Sequence, residues 1–216
     1  NTDHGSLLRI YEEARQVPGI KHCFIGSGIR YDLCLSDTGN KEVDKTNRRY
    51  LETVIRHHVS GRFKVAPEHC SPTVLGLMRK PAFGLFQQLK SIFDEINRKH
   101  RLNEQIIPYF ISSHPGCRPE DMAELAVATK ALDFKLEQVQ DFTPTPMTVA
   151  TTIYYSGYHP YSLQKIDTAK SEKEKKQQNM FFFWYKREFR EQIMTLLRRI
   201  HRADLIPKLY GKEREK

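Results

Sequence analysis

The sequence has no long hydrophobic run. It contains 216 residues with a mean hydropathy of −0.61, and no apolar segment approaches the roughly 18 residues that a membrane-spanning helix needs. The N-terminus also lacks the apolar core of a secretory signal. These absences exclude a membrane-spanning protein and predict no membrane partner. The first residue is Asn1 rather than Met, which predicts a processed product or a fragment.

Cysteine is scarce and scattered. The four cysteines are Cys23, Cys34, Cys70 and Cys117, and no two of them lie within ten residues of each other. No CxxC, CxxxCxxC or zinc-type Cys/His spacing occurs. We therefore predict a reduced, cytoplasmic protein in which each thiol packs as a small buried hydrophobe.

Aromatic residues and positive charge are plentiful. Twelve Phe, ten Tyr and one Trp exclude wholesale disorder. The net charge is +9, and residues 170–216 hold 14 basic and 7 acidic side chains, so most of the excess lies there. Such a basic tail predicts either an acidic partner such as RNA or simply a solvated helix face.

Four short apolar runs alternate with helical patterns. The runs cover residues 23–25, 63–66, 106–111 and 136–142, and they begin roughly 30 to 45 residues apart. Apolar stripes with helical periodicity begin near residues 7, 50, 86 and 119. This alternation predicts an α/β fold with about four parallel strands, helices on the outside and a ligand site at the carboxyl ends of the strands. The sheet is either open or part of a barrel.

The pattern changes after about residue 150. Residues 151–160 combine aromatics with turn residues, 171–178 are polar and rich in lysine, and 189–200 form an amphipathic stripe. We predict a first domain over 1–150 and a small, mostly helical C-terminal domain over 151–216.

The loops after the apolar runs carry recognisable motifs. They read GSGIRYDL at 26–33, KVAPEH at 64–69, IPYFISSHPG at 107–116 and QVQDFTPTPM at 138–147. In this order and spacing they resemble the YgiQ-type radical SAM proteins, and the resemblance covers almost the whole chain. It implies that residues 1–150 are the C-terminal part of a partial (β/α)6 barrel. Residues 151–216 resemble the C-terminal domain of unknown function of that family.

The resemblance also implies an activity for the intact protein. Family members hold a [4Fe–4S] cluster on a CxxxCxxC loop and cleave S-adenosylmethionine (SAM) reductively to a 5′-deoxyadenosyl radical. The substrate on which this radical acts is unknown, and it is a small molecule or a macromolecule. This chain lacks the cluster cysteines and the acidic Gly-rich segment that grips the methionine amine. We therefore expect a fragment that lacks the N-terminal half and is inactive alone.

Four candidate SAM-binding residues follow from the first two motifs. By resemblance, Ser27 and Arg30 face the methionyl carboxylate or the substrate, since Arg suits bidentate carboxylate contacts. Lys64 would contact the carboxylate and Glu68 the ribose hydroxyls. The alternatives are a helix-capping Ser27, a surface Arg30, and a mutual Lys64–Glu68 ion pair. For His69, which follows directly, a structural loop role is favoured.

Four more candidates follow from the last two motifs. Ser112 and Ser113 match the position where related enzymes place backbone groups against adenine. Phe142 and Thr143 would border the adenine from the last strand. The resemblance identifies no catalytic residue in this chain and no metal ligand.

A non-catalytic RNA-binding or interaction module is the alternative function. The tyrosines between 154 and 161 would stack on bases while the basic tail pairs with phosphates. Aromatic core packing of the C-terminal domain competes with this interpretation. RNA binding would weaken steeply with salt and would be lost on removal of the residues after Lys170. A third possibility is a scaffold without any ligand.

Overall fold

The computed structural model describes residues 2–211, apart from the side chain of Gln138. Within this part of the chain there are ten α-helices, two short 3-10 helices and three β-strands. In chain order they are α1 Gly5–Ala14, α2 Tyr31–Leu35, α3 Lys41–His57, β1 Arg62–Glu68, α4 Pro72–Met78, α5 Phe83–His100, β2 Gln105–Ser112, α6 Pro119–Ala131, β3 Gln138–Asp141, α7 Val149–Ser156, α8 Glu172–Asn179, the 3-10 helix Met180–Phe183, α9 Arg187–Arg199, the 3-10 helix Ala203–Leu205 and α10 Ile206–Tyr210.

The three strands form one sheet in the order β1-β2-β3. β2 and β3 are parallel, with Tyr109 opposite Gln138 and Ser112 opposite Asp141. Buried and exposed residues alternate along β1, as in a strand with one face against a core. The predicted strands at 63–66, 106–111 and 136–142 and the α/β class are therefore confirmed, while the partial barrel stays a prediction.

The predicted strand at residues 23–25 is wrong, because these residues adopt no regular structure. Ile25 donates one backbone hydrogen bond to the carbonyl of His58 at 2.9 Å. Phe24 is about half exposed, so the apolar run does not build a buried face. Gly26 and Gly28 follow the run directly, and glycine weakens strand pairing because it is flexible and has no side chain to pack.

The chain divides into two compact units. The first comprises the residues up to Ala66 together with Gly84–Pro108. In it, Asn40 caps α3 by accepting hydrogen bonds from the N–H groups of Glu42 and Val43. The apolar stripe of α3 is buried, and the Phe63 ring stacks on Phe93 with 5.5 Å between centroids.

The second unit comprises Pro67–Phe83 and the chain from Tyr109 onward. Here α6 packs against α8, α10 and the 3-10 helix Met180–Phe183. Phe181 and Phe182 of that 3-10 helix are buried. The C-terminal helices thus share a core with α6. Of the two predicted domains, residue 1 and residues 212–216 lie outside the described residues.

None of the helices within residues 2–211 is both long enough and apolar enough to span a membrane.

Candidate functional site

A cavity of about 430 Å³ lies in the second unit, where the strands end. Glu68 of β1, Ile111 of β2 and Gln140 of β3 each contribute to its lining. The C-terminal end of α4 and the start of α7 complete the wall. Parallel sheets place ligand sites at the carboxyl ends of their strands, and this volume lies within the range of small-molecule sites.

Glu68 is the acidic residue among those that line the cavity, and Arg79 and Lys80 are the basic ones. The φ of Glu68, +65°, lies in the left-handed region, which is uncommon outside glycine and turns the chain sharply at the strand end. Its carboxylate forms an ion pair with Lys80 Nζ at 3.0 Å, and both side chains are partly exposed. Lys80, which also lines the cavity, was missed by the sequence reasoning. Nothing in the sequence marks it, because the pair forms only when α4 folds back towards the strand end.

Another part of the cavity lining is aromatic and consists of Phe142 and His114. The ring of Phe142 is almost buried, and it contacts His114 edge-on at 5.1 Å and Tyr154 at 5.6 Å. The backbone N–H of Phe142 donates to the Ser112 carbonyl at 2.8 Å, which extends the β2–β3 pairing by one residue. Burial lowers the pKa of His114, so its imidazole is neutral at pH 7.

Hydroxyl groups mark the rim. Thr143, Thr145 and Thr148 line the cavity and are exposed. The Thr148 hydroxyl donates to the Thr145 carbonyl at 2.9 Å and accepts the N–H of Thr151 at 3.2 Å, which caps α7. The rim therefore combines helix capping with hydroxyl groups that face solvent.

Ser112 and Ser113 lie below the surface and are not among the residues that line the cavity. The Ser112 hydroxyl donates to the carboxylate of Asp141. Ser113 has a φ of +59°, and its hydroxyl oxygen is buried without a hydrogen-bond partner. These two residues shape the loop that follows β2.

Gln178 of α8 closes that loop. Its Oε1 accepts the N–H of Ser113 at 2.8 Å, and its Nε2 donates to the carbonyl of Cys117 at 2.8 Å. The Gln178 side chain is buried, so these two bonds satisfy backbone groups that water cannot reach. A single side chain from the C-terminal helices thus holds both ends of the loop 113–117.

Three further candidates, Ser27, Arg30 and Lys64, belong to the first unit. All three are exposed. Arg30 donates to Asp32 through two nitrogens, at 2.8 and 2.6 Å, and these hydrogen bonds raise its pKa. A Cβ on Gly28 would lie 3.0 Å from the Lys64 carbonyl oxygen, so the backbone approaches closely there. In the second unit, the structure brings Glu68, Phe142 and Thr143 together in one cavity.

His69 is fully buried directly after Glu68. Its Nδ1 accepts the N–H groups of Cys70 and Ser71 at 2.9 and 3.0 Å. Its Nε2 lies 3.4 Å from Met122 Sδ and 3.5 Å from Cys117 Sγ. Burial lowers its pKa to about 4. These contacts give His69 a structural role in the loop that leads into α4.

The thiols do not form a metal centre. All four cysteines are free, and burial raises the pKa of Cys34 and Cys70 to about 12. Within residues 2–211, no three His, Cys, Asp or Glu side chains are placed to hold a metal ion. An iron–sulfur cluster is held by clustered thiolates, so the described residues do not fit one.

Comparison with known proteins places these features in a family context. Residues 137–213 match the family described as "Domain of unknown function (DUF3362)". Over 212 residues, 98% of the chain, the sequence is 59% identical to a UPF0313 protein of Bacteroides thetaiotaomicron and 57% identical to one of Porphyromonas gingivalis. Over 206 residues, 95% of the chain, it is 41% identical to a UPF0313 protein of Methanocella arvoryzae.

These matches span 34%, 33% and 33% of the three relatives, so the chain covers about a third of the length of the curated relatives it matches. Their names state no activity. Over that third of their length, the chain is similar to the UPF0313 proteins, and the region that matches DUF3362 lies at its C-terminal end.

Proposed function

We propose that this chain is the C-terminal part of a radical SAM iron–sulfur enzyme and that its strand-end cavity holds the adenosine portion of SAM. One observation carries the proposal. Glu68 comes from the motif at 64–69 and Phe142 and Thr143 from the motif at 138–147, and all three line a single cavity at the carboxyl ends of the strands. These are three of the residues that the resemblance assigns to SAM binding.

The lining suits adenosine chemically. The base is flat and aromatic, and Leu77, Ile111 and Phe142 supply apolar and aromatic surface. The ribose carries two adjacent hydroxyl groups, and the Glu68 carboxylate, held by Lys80, is the acceptor for them. A volume of about 430 Å³ accommodates a ligand of this size.

The described residues do not fit the cluster, so in this proposal the thiolates come from another part of a longer protein. A cluster held there would supply the electron for the reductive cleavage of SAM. The residues of this chain bind and orient the nucleoside. The substrate of the radical is a separate question, which this cavity does not address.

The gene and the longer protein test the assignment. The upstream coding sequence should contain a CxxxCxxC motif. After anaerobic reconstitution with iron and sulfide, the longer protein should be brown. After reduction it should release 5′-deoxyadenosine from SAM, measured by chromatography. A gene without that motif, a colourless protein or the absence of 5′-deoxyadenosine would each contradict the proposal.

A single substitution tests the cavity. Glu68→Gln in the longer protein removes the charged acceptor and should weaken SAM binding roughly 10- to 100-fold in calorimetry, as expected for a lost hydrogen bond to a charged group. Glu95→Gln, at an exposed position on α5, is the matched control and should leave the affinity unchanged. Equal affinity of the Glu68→Gln variant and the unmodified protein would remove this cavity from SAM binding.

A further inference from the structure

The segment around α7 exposes aromatic side chains. Tyr155, Tyr158 and Tyr161 are 70%, 49% and 72% exposed, whereas Tyr154 is only 8% exposed. Core packing of the aromatics, the competing sequence interpretation, therefore applies to Tyr154 but not to the other three. We call Tyr155, Tyr158 and Tyr161 the tyrosine surface. All three lie within residues 155–161, and exposed apolar surface that is grouped in this way is typical of an interaction site.

Three cations accompany this surface. The guanidinium carbon of Arg79 lies 5.9 Å from the centre of the Tyr161 ring. Lys170 Nζ donates to the backbone carbonyl of Tyr155 at 3.2 Å. Lys165 is the antiparallel bridge partner of Tyr158, and directly opposed residues place their side chains on the same face. Each tyrosine therefore has a cation beside it.

Acidic side chains are absent from this stretch of sequence. Residues 142–166 contain no Asp or Glu. The acidic residues at its two ends already have partners. Asp167 forms an ion pair with Arg118 at 2.8 Å, and the Asp141 carboxylate accepts a hydrogen bond from Asn179 at 3.0 Å. Glu174 lies beside Lys170, and its carboxylate accepts the backbone N–H of Lys170 at 3.2 Å. The Lys170 Nζ itself donates to a neutral backbone carbonyl, so its charge can pair with an anionic partner.

We infer that the tyrosine surface binds single-stranded nucleic acid, with bases stacked on the tyrosine rings and phosphates paired with Arg79, Lys165 and Lys170. Exposed aromatic rings interleaved with cations form the stacking platform that single strands use, since every base has an aromatic face and every linkage a negative charge. A protein partner would instead favour a continuous apolar patch with few charges at its centre. The site differs from the basic tail considered from the sequence, because it centres on residues 155–170.

The inference is independent of the proposed enzyme function, because binding needs neither a cluster nor SAM. Arg79 also lines the strand-end cavity, so a strand on the tyrosine surface passes beside that cavity. Deletion of the residues after Lys170 is not a usable test. It would remove Phe181 and Phe182, which are buried in the core of the second unit.

Fluorescence anisotropy tests the inference with labelled 15-nucleotide oligouridine and oligothymidine and the 216-residue chain. Tyr161→Ala and Tyr155→Ala should each weaken binding roughly 5- to 100-fold, the usual effect of losing one base–aromatic stack. Tyr161→Phe keeps the ring and should bind nearly as well as the unmodified chain. Phe24→Ala, at an exposed aromatic of the first unit, is the control and should have no effect. The ratio of the two oligonucleotide affinities distinguishes RNA from DNA.

Salt dependence tests the phosphate contacts. About three contacts to a single strand predict a slope near −2 for the logarithm of affinity against the logarithm of salt concentration. Lys165→Gln should make this slope shallower by roughly 0.7, and Lys45→Gln on α3 should not change it.

Three outcomes would overturn the inference. They are no binding of either oligonucleotide, binding that Tyr155→Ala and Tyr161→Ala leave intact, and tyrosine-dependent binding to phosphatidylserine vesicles without binding to oligonucleotides. Each leaves the release of 5′-deoxyadenosine from SAM unaffected, so failure here is distinguishable from failure of the enzyme proposal.

Discussion

At the scale of single residues, Gly116 follows the buried His114-Pro115 pair with a φ of +82°. A Cβ built on it would collide with the end of the Leu77 side chain. Gly116→Ala should therefore lower the free energy of unfolding by about 1–2 kcal/mol, from left-handed strain and displacement of Leu77. Urea denaturation measures this.

Gly76→Ala is the matched control, since Gly76 lies in α4 of the same unit with open space around it. It should be neutral or stabilise the protein by up to about 1 kcal/mol, because alanine favours a helix. Similar losses in both variants would contradict the role given to Gly116.

His69 predicts a pH dependence of stability. Its pKa is about 4 in the folded protein, chiefly because of burial, and near 6.5 when unfolded. The unfolded chain therefore takes up the proton first as pH falls. The contribution of neutral His69 to the free energy of unfolding is fully present above about pH 6.5. Roughly 3 kcal/mol of it is lost progressively as the pH falls from 6.5 to 4.

His69→Asn keeps an acceptor in place of Nδ1 but does not titrate, so its free energy of unfolding should change less over this range. His22→Asn replaces an exposed histidine, and the free energy of unfolding of this variant should change with pH as it does in the unmodified protein. If His69→Asn shows the same pH dependence as the unmodified chain, another group accounts for the loss.

Individual site residues were predictable where a motif marks a strand end. Phe142 ends an apolar run and Glu68 and Thr143 follow one, and the carboxyl ends of parallel strands meet at one edge of the sheet. Lys80 was not predictable, because its approach to Glu68 depends on the fold of α4.

At the scale of elements, α8 begins with a capping box, and removal of this cap should lower the free energy of unfolding. The Ser171 hydroxyl accepts the Glu174 N–H at 3.2 Å, and the Glu174 carboxylate accepts the Ser171 N–H at 2.9 Å. Ser171→Ala should cost about 1 kcal/mol in urea denaturation, because the exposed N–H groups of the first turn lose an acceptor. Ser162→Ala, at an exposed loop position, should cost nothing measurable. A loss equal to that control would show that the cap does not contribute.

The same element shows what sequence reasoning can overlook. Residues 171–178 were interpreted only as a polar, lysine-rich stretch, although Ser171 and Glu174 have the spacing of a capping box. Because this segment is almost entirely polar, it has no apolar stripe from which the helix could be predicted. The three strands were predictable because their apolar runs are buried against a core, whereas the run at 23–25 leaves Phe24 half exposed and leads directly into Gly26-Ser27-Gly28.

At the scale of the whole molecule, the distribution of thiols predicts the result of iron reconstitution. The 216-residue chain, treated anaerobically with iron and sulfide, should show no cluster absorbance after desalting. Its described residues hold no cluster of thiolates, and Cys34 and Cys70 are protonated at neutral pH. The longer protein under the same treatment is the control and should absorb. Stable cluster binding by this chain alone would contradict the prediction.

The division into two units was not predictable from composition. The sequence changes character near residue 150, but the second unit combines α6 with the C-terminal helices, and the DUF3362 match begins at residue 137. The composition of the sequence shows which side chains are apolar. It does not show which helices α6 contacts, and those contacts define the second unit. The predicted boundary between residues 150 and 151 stays a prediction.

The amide of Gln178 has a consequence for how the two parts of this protein can evolve or be engineered. It completes the hydrogen bonding of a turn that lies far away in sequence, between Ser113 and Cys117. A protein without its C-terminal helices would leave the Ser113 N–H and the Cys117 carbonyl in that turn without these hydrogen bonds. When the C-terminal region is exchanged between homologues, the hybrid protein should therefore fold stably only if the new helix carries a side chain that can both accept and donate a hydrogen bond at this position.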